Sequence, residues 1–112
     1  MDSLKNIIKE YFRDTLYEAD VVMRSSRDKK LTIVTDNLRG VCGITVVTVT
    51  GPAKPVSKDV EKTYLKVKFF QMEPTLELHL QRMAIDARKI DGVFSFIPIS
   101  SKKVVSRIYR SK

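Results

Sequence analysis

The chain has 112 residues, enough for a single modest core but not for two. With 43% hydrophobic and 30% charged residues it has the composition of a folded soluble domain, and no apolar run reaches the roughly 18 to 20 residues that cross a bilayer. The opening Met1-Asp2-Ser3-Leu4-Lys5 lacks a cationic secretory start, and the single Cys42 cannot form an intrachain disulfide; a cytoplasmic protein is expected.

Residues 3 to 23 show helical spacing. Leu4, Ile7, Ile8, Tyr11, Phe12, Leu16 and Ala19 recur at steps of three and four with charged residues between them, which predicts an amphipathic helix capped by Asp2 or Ser3. A polar connector follows at Arg24-Ser25-Ser26-Arg27-Asp28, and Leu31-Thr32-Ile33-Val34 is expected to be the first strand. Thr35-Asp36-Asn37 would cap a brief helix or turn ending at Gly43. Ile44 to Thr50, rich in valine and threonine, predicts the second strand. Gly51 to Asp59 contains two prolines and a glycine within five residues, so it is expected to be a loop.

Thr63 to Phe70 alternates: Leu65, Val67 and Phe69 point one way, and Tyr64, Lys66, Lys68 and Phe70 the other. Glu73-Pro74-Thr75 opens a long helix, with proline where its missing N–H costs nothing. Its apolar stripe runs through Leu76, Leu80, Met83, Ala87 and Ile90, which leaves His79 at the surface or boundary. A last strand is predicted from Val93 to Pro98. Phe94 and Phe96 share the face of Tyr64 if Val93, Ser95 and Ile97 point inward.

One phrase occurs twice. Arg39-Gly40-Val41-Cys42-Gly43-Ile44 and Arg88-Lys89-Ile90-Asp91-Gly92-Val93 each lead from a basic helix end, through a branched residue and a glycine, into a β-rich run. Two βαβ-type halves joined by a hairpin are the expected result, with Val41 and Ile90 anchoring each half. Residues 31 to 98 therefore resemble the α+β ferredoxin-like βαββαβ superfold, in the style of ACT and heavy-metal-associated domains. That resemblance implies a four-stranded antiparallel sheet over 30–98, preceded by the helix and basic connector of 1–29 and followed by a basic tail at 99–112. The overall texture is also similar to that of small uncharacterised proteins of tailed phages, which implies a structural place in a virion.

The family chemistries do not carry over. A heavy-metal site needs a Cys-x-x-Cys after strand one, and that loop reads Thr35-Asp36-Asn37-Leu38. No glycine stands between Lys29 and Arg39 for an ACT-type ligand, and no phosphate-cradling loop with arginine follows strand one. Cys42 is expected to pack as a small apolar residue, and Glu73, Glu77 and Asp86 to solvate the long helix. No catalytic residue, metal site or cofactor is predicted.

Charge points elsewhere. The formal net charge is +8, and residues 99–112 carry Lys102, Lys103, Arg107, Arg110 and Lys112 with no acid. Arg24, Arg27, Lys29 and Lys30 form a second cluster, and Tyr64, Lys66 and Lys68 interleave an aromatic with cations on one strand face. Such groups suit phosphate contacts and base stacking, so a non-enzymatic nucleic-acid-binding module is expected. The alternative is a structural or assembly protein that self-associates or docks through its N-terminal helix, which would cover the open sheet face; neither class needs a membrane.

Overall fold

A computed structural model describes residues 15–104. The elements are β1 (Leu16–Ser26), α1 (Leu31–Leu38), a 3-10 turn (Val41–Gly43), β2 (Ile44–Val49), β3 (Lys54–Pro55), β4 (Val60–Phe70), α2 (Leu76–Ala87) and β5 (Val93–Val104). They make an α+β fold in which an antiparallel sheet runs β2-β4-β1-β5, with the short β3 also paired to β4. Two long strands joined through helices to their neighbours, with β1 and β4 central, are compatible with a ferredoxin-like arrangement.

The first strand is not where sequence periodicity puts it. The predicted helix of residues 3–23 lies outside the described residues up to position 14, but Leu16–Ser26 is the central strand of the sheet. Leu16, Ala19 and Met23 fit helical steps, yet Ala19, Val21, Met23 and Ser25 also alternate, and all four are buried. Pairing with β4 on one side and β5 on the other satisfies the backbone of β1 along its whole length, and that non-local gain decides the matter.

Leu31 to Val34, expected to be strand one, instead opens α1. Leu31, Val34 and Leu38 stand three and four apart, and Val34 and Leu38 are fully buried, so the helical face outweighs the β-branched Thr32, Ile33 and Val34. Thr35, Asp36 and Asn37 consequently lie inside the helix rather than capping it. The long helix begins as expected: the Thr75 hydroxyl accepts from the Leu78 N–H at 3.2 Å.

Both helices pack on one sheet face. The core joins Ala19, Val21, Met23, Leu65, Val67, Phe69, Phe96 and Val93 from the strands to Val34, Leu38, Met83 and Ala87 from the helices. Val41 and Ile90 pack against it from the two repeated segments. Gly43 and Gly92 there adopt φ of +78° and +92°, a region L side chains rarely enter.

β5 departs from expectation twice. Register shifts leave Phe94 and Ile99 as extra residues between Ser25/Val93 and Arg24/Ser95, and between Val21/Pro98 and Asp20/Ser100. The first bulge inverts the alternation, so Phe96 turns into the core at 1% exposure instead of joining Tyr64 on the open face. Burying such a ring is worth roughly 2 to 3 kcal/mol, which offsets one irregular ladder step. The strand also runs on to Val104, so residues 99 to 104 of the expected tail belong to the sheet.

Candidate binding face

The sheet face opposite the helices is composed by alternation. β1 presents Leu16, Glu18, Asp20, Val22 and Arg24; β4 presents Lys62, Tyr64, Lys66, Lys68 and Phe70. Registration places Glu18 opposite Lys68 on β4 and Lys102 on β5, and Asp20 opposite Lys66 and Ser100. Opposite charges facing each other across antiparallel strands stabilise the pairing by a few tenths of a kcal/mol each.

Glu18 is the centre of this pattern. Its carboxylate oxygen Oε2 lies 3.4 Å from Lys66 Nζ and 3.7 Å from Lys102 Nζ, with the Glu18 side chain only 13% exposed. Asp20 accepts a hydrogen bond from Ser100 Oγ at 2.8 Å. These groups line a cleft of about 240 Å³. Sequence reading missed both carboxylates because it placed them on a helix; their alternation with Ala19 and Val21 is the signal that assigns them to a strand.

The predicted phosphate-binding residues divide accordingly. Arg24, Tyr64, Lys66, Lys68 and Lys102 come together on the open face, where Lys62 joins them with its ammonium 5.6 Å from the Tyr64 ring centroid. Lys66 and Lys102 are drawn to Glu18, whereas Arg24, Lys62 and Lys68 have no ion pair among the described residues. Lys103 falls opposite Tyr17 on the helix-covered side. Arg27, Lys29 and Lys30 sit beyond the end of β1. There Arg27 Nη1 donates to the Ser57 and Lys58 carbonyls at 3.3 and 3.4 Å, and Lys29 Nζ lies 2.7 Å from Asp91, which raises its pKa. Arg107, Arg110 and Lys112 lie outside the described residues.

A second polar cluster is internal. His79 is buried at 1% exposure, not at the surface, because it shares the inner face of α2 with Met83 and Ala87 at steps of four. Its ring stacks on Phe69 with centroids 4.8 Å apart. Nδ1 accepts from the Met72 N–H at 2.9 Å, so the proton sits on Nε2, which donates to the Cys42 carbonyl at 2.7 Å. Burial holds the imidazole pKa below its ordinary value.

Cys42 occupies a left-handed conformation, φ +47°, and its thiol donates to Asp86 Oδ2 at 3.3 Å. Burial, reinforced by the Asp86 hydrogen bond and charge, pushes the thiol pKa up to about 11. Cys, His and Asp adjoin here, but His79 has both ring nitrogens committed to backbone and the thiol is biased against the thiolate, the opposite of nucleophile activation. The trio ties the 3-10 turn to α2.

The fold and the open face together define an α+β domain with a mixed-charge, predominantly cationic sheet surface. No protein-family model and no curated protein matches the chain.

Proposed function

We infer that this is a ferredoxin-like, non-enzymatic module that binds nucleic acid by phosphate contacts across the open sheet face. One observation supports it most: Arg24, Lys62, Lys66, Lys68 and Lys102 share one sheet face with Tyr64, against only Glu18 and Asp20. Cations at strand spacing match a phosphate backbone without reading sequence, and an exposed tyrosine edge, 39% accessible, offers a base a stacking partner. The basic segments at Arg24 to Lys30 and at Lys102 to Lys112 extend the same charge.

Anisotropy titration of a labelled single-stranded oligonucleotide across a salt series tests this. The logarithm of affinity should fall with the logarithm of salt, and replacing Arg24, Lys62 and Lys68 with alanine should flatten that slope by about two units. Failure to bind single- or double-stranded nucleic acid at about 50 mM salt would sink the reading.

A second reading, an assembly protein, is favoured by Phe94, Ile97 and Ile99, which expose 55%, 54% and 59% of their surface along β5. Association that survives high salt but needs these three residues would support it.

A further inference from the structure

The two edges of the sheet are built differently. On β5, the Arg27 N–H bond to Asp59 and the Ser26 N–H bond to Gly92 fix which β1 residues face which neighbour, and by alternation Val21/Pro98 is a non-hydrogen-bonded pair. The Pro98 nitrogen thus faces outward, where it removes a donor from the free edge. Bulges at Phe94 and Ile99, with Lys102 and Lys103 beyond them, complete an edge that resists further pairing.

β2 has one bulge, at Thr45 near its start, but no proline and no charge, and its register is regular from Val46 to Val49. Ile44-Thr45-Val46-Val47-Thr48-Val49 is β-branched throughout, and no charged residue stands between Arg39 and Lys54. The Thr50 N–H bonds to the Tyr64 carbonyl at 2.9 Å, so alternation along β4 turns Thr48 and Val46 inward and leaves the N–H and C=O of Val47 and Val49 on the outer edge. No second strand among the described residues pairs with that edge, the Gly40 N–H reaching only the Ile44 carbonyl at its start (2.8 Å), and Thr45, Val46, Thr48 and Val49 are exposed.

We propose that the outer edge of β2 pairs with β2 of a second copy of this chain, antiparallel about Val47, so that two sheets become one. Charge selects this occupant. Two molecules of net charge +8 repel over most of their surface, and among the described residues the β2 edge is the one strand edge where two copies meet without like charges facing each other. The pairing is self-complementary, as a two-fold interface requires, because every residue is β-branched and neutral. It stands independently of nucleic-acid binding, though it would set two cationic faces side by side.

Sedimentation equilibrium of the full chain at about 0.5 M salt, where the Debye length is only ~4 Å, provides the test. A reversible monomer–dimer equilibrium is expected, weakened at least about tenfold by Val49→Pro, which removes an outward N–H while sparing the ladder to β4. Thr48→Lys should weaken it comparably by setting a charge beside the two-fold axis, and it touches no backbone bond should the proline variant fail to fold. A chain that stays monomeric to about 1 mM, or a dimer unmoved by Thr48→Lys in a folded protein, overturns the proposal; the latter would place the interface elsewhere.

Discussion

His79 donates to the carbonyl of Cys42 across 2.7 Å, which locks one tautomer of a buried ring into the joint between α2 and the 3-10 turn. Protonating Nδ1 would displace the Met72 N–H, so the folded state disfavours the imidazolium. Its folded pKa lies below the unfolded 6.5. Between those values the unfolded chain binds more protons, so stability is full above about pH 6.5 and declines as pH falls from there toward the folded pKa.

Thermal melts from pH 8 to pH 5 should show this decline. Asp86, held below its ordinary 3.8 chiefly by the Cys42 thiol, contributes stability lost only at lower pH, so the two windows separate. His79→Phe should remove the slope between pH 6.5 and 5 while costing about 1 to 3 kcal/mol at pH 8, because it orphans the Met72 N–H and the Cys42 carbonyl. An undiminished slope in that variant would assign the effect to another group.

The two glycines flanking Cys42 should behave differently. Both have positive φ, +93° at Gly40 and +78° at Gly43, so alanine strains the backbone at each by roughly 1 to 2 kcal/mol. At Gly40 a Cβ meets nothing within 4 Å, but at Gly43 it would lie 2.7 Å from the Phe70 carbonyl oxygen. Gly43→Ala should therefore cost clearly more than Gly40→Ala in urea unfolding. Equal costs would mean that the β2–β4 junction yields easily.

What was legible in the sequence was local. Leu65, Val67 and Phe69 alternate against polar neighbours and do lie in the core, Thr75 caps its helix, and Gly43 and Gly92 take the positive φ that their place before a strand suggests. The element illegible at short range was β1, where Leu16, Ala19 and Met23 satisfy a helical period and Ala19, Val21 and Met23 a strand period. Only pairing with β4 and β5, 34 to 88 positions away, distinguishes them. The same pairing brings Glu18 among the lysines, so the face's true charge pattern was hidden with it. The Phe96 reversal depends on a single extra residue at Phe94, which alternation cannot reveal.

Thr63 offers a test of the core itself. Its Oγ1 is buried without a hydrogen-bond partner, on the helix side of β4 opposite Met23. Valine has nearly the same shape and no hydroxyl to desolvate. Thr63→Val should raise the unfolding free energy by about 1 kcal/mol, read as a higher urea midpoint with unchanged m-value. A lower midpoint would show that the hydroxyl has a partner in solution.

Glu18→Gln bears most directly on the binding face. The substitution keeps size and hydrogen-bonding capacity but leaves Lys66 and Lys102 without the carboxylate that now draws both ammonium groups inward, and it raises the net charge from +8 to +9. Both lysines are substantially exposed, so the lost ion pairs should cost at most about 1 kcal/mol of stability and leave the fold intact. On the nucleic-acid reading, affinity should rise at low salt and the salt slope steepen by up to about two units, one per lysine newly able to reach a phosphate. Affinity and slope both unchanged would mean that the polyanion contacts Arg24 and Lys62 at the Tyr64 end of the sheet. Lys62→Ala alone should then lower the slope by about one unit, and the carboxylates would serve only to hold β1 between its neighbours.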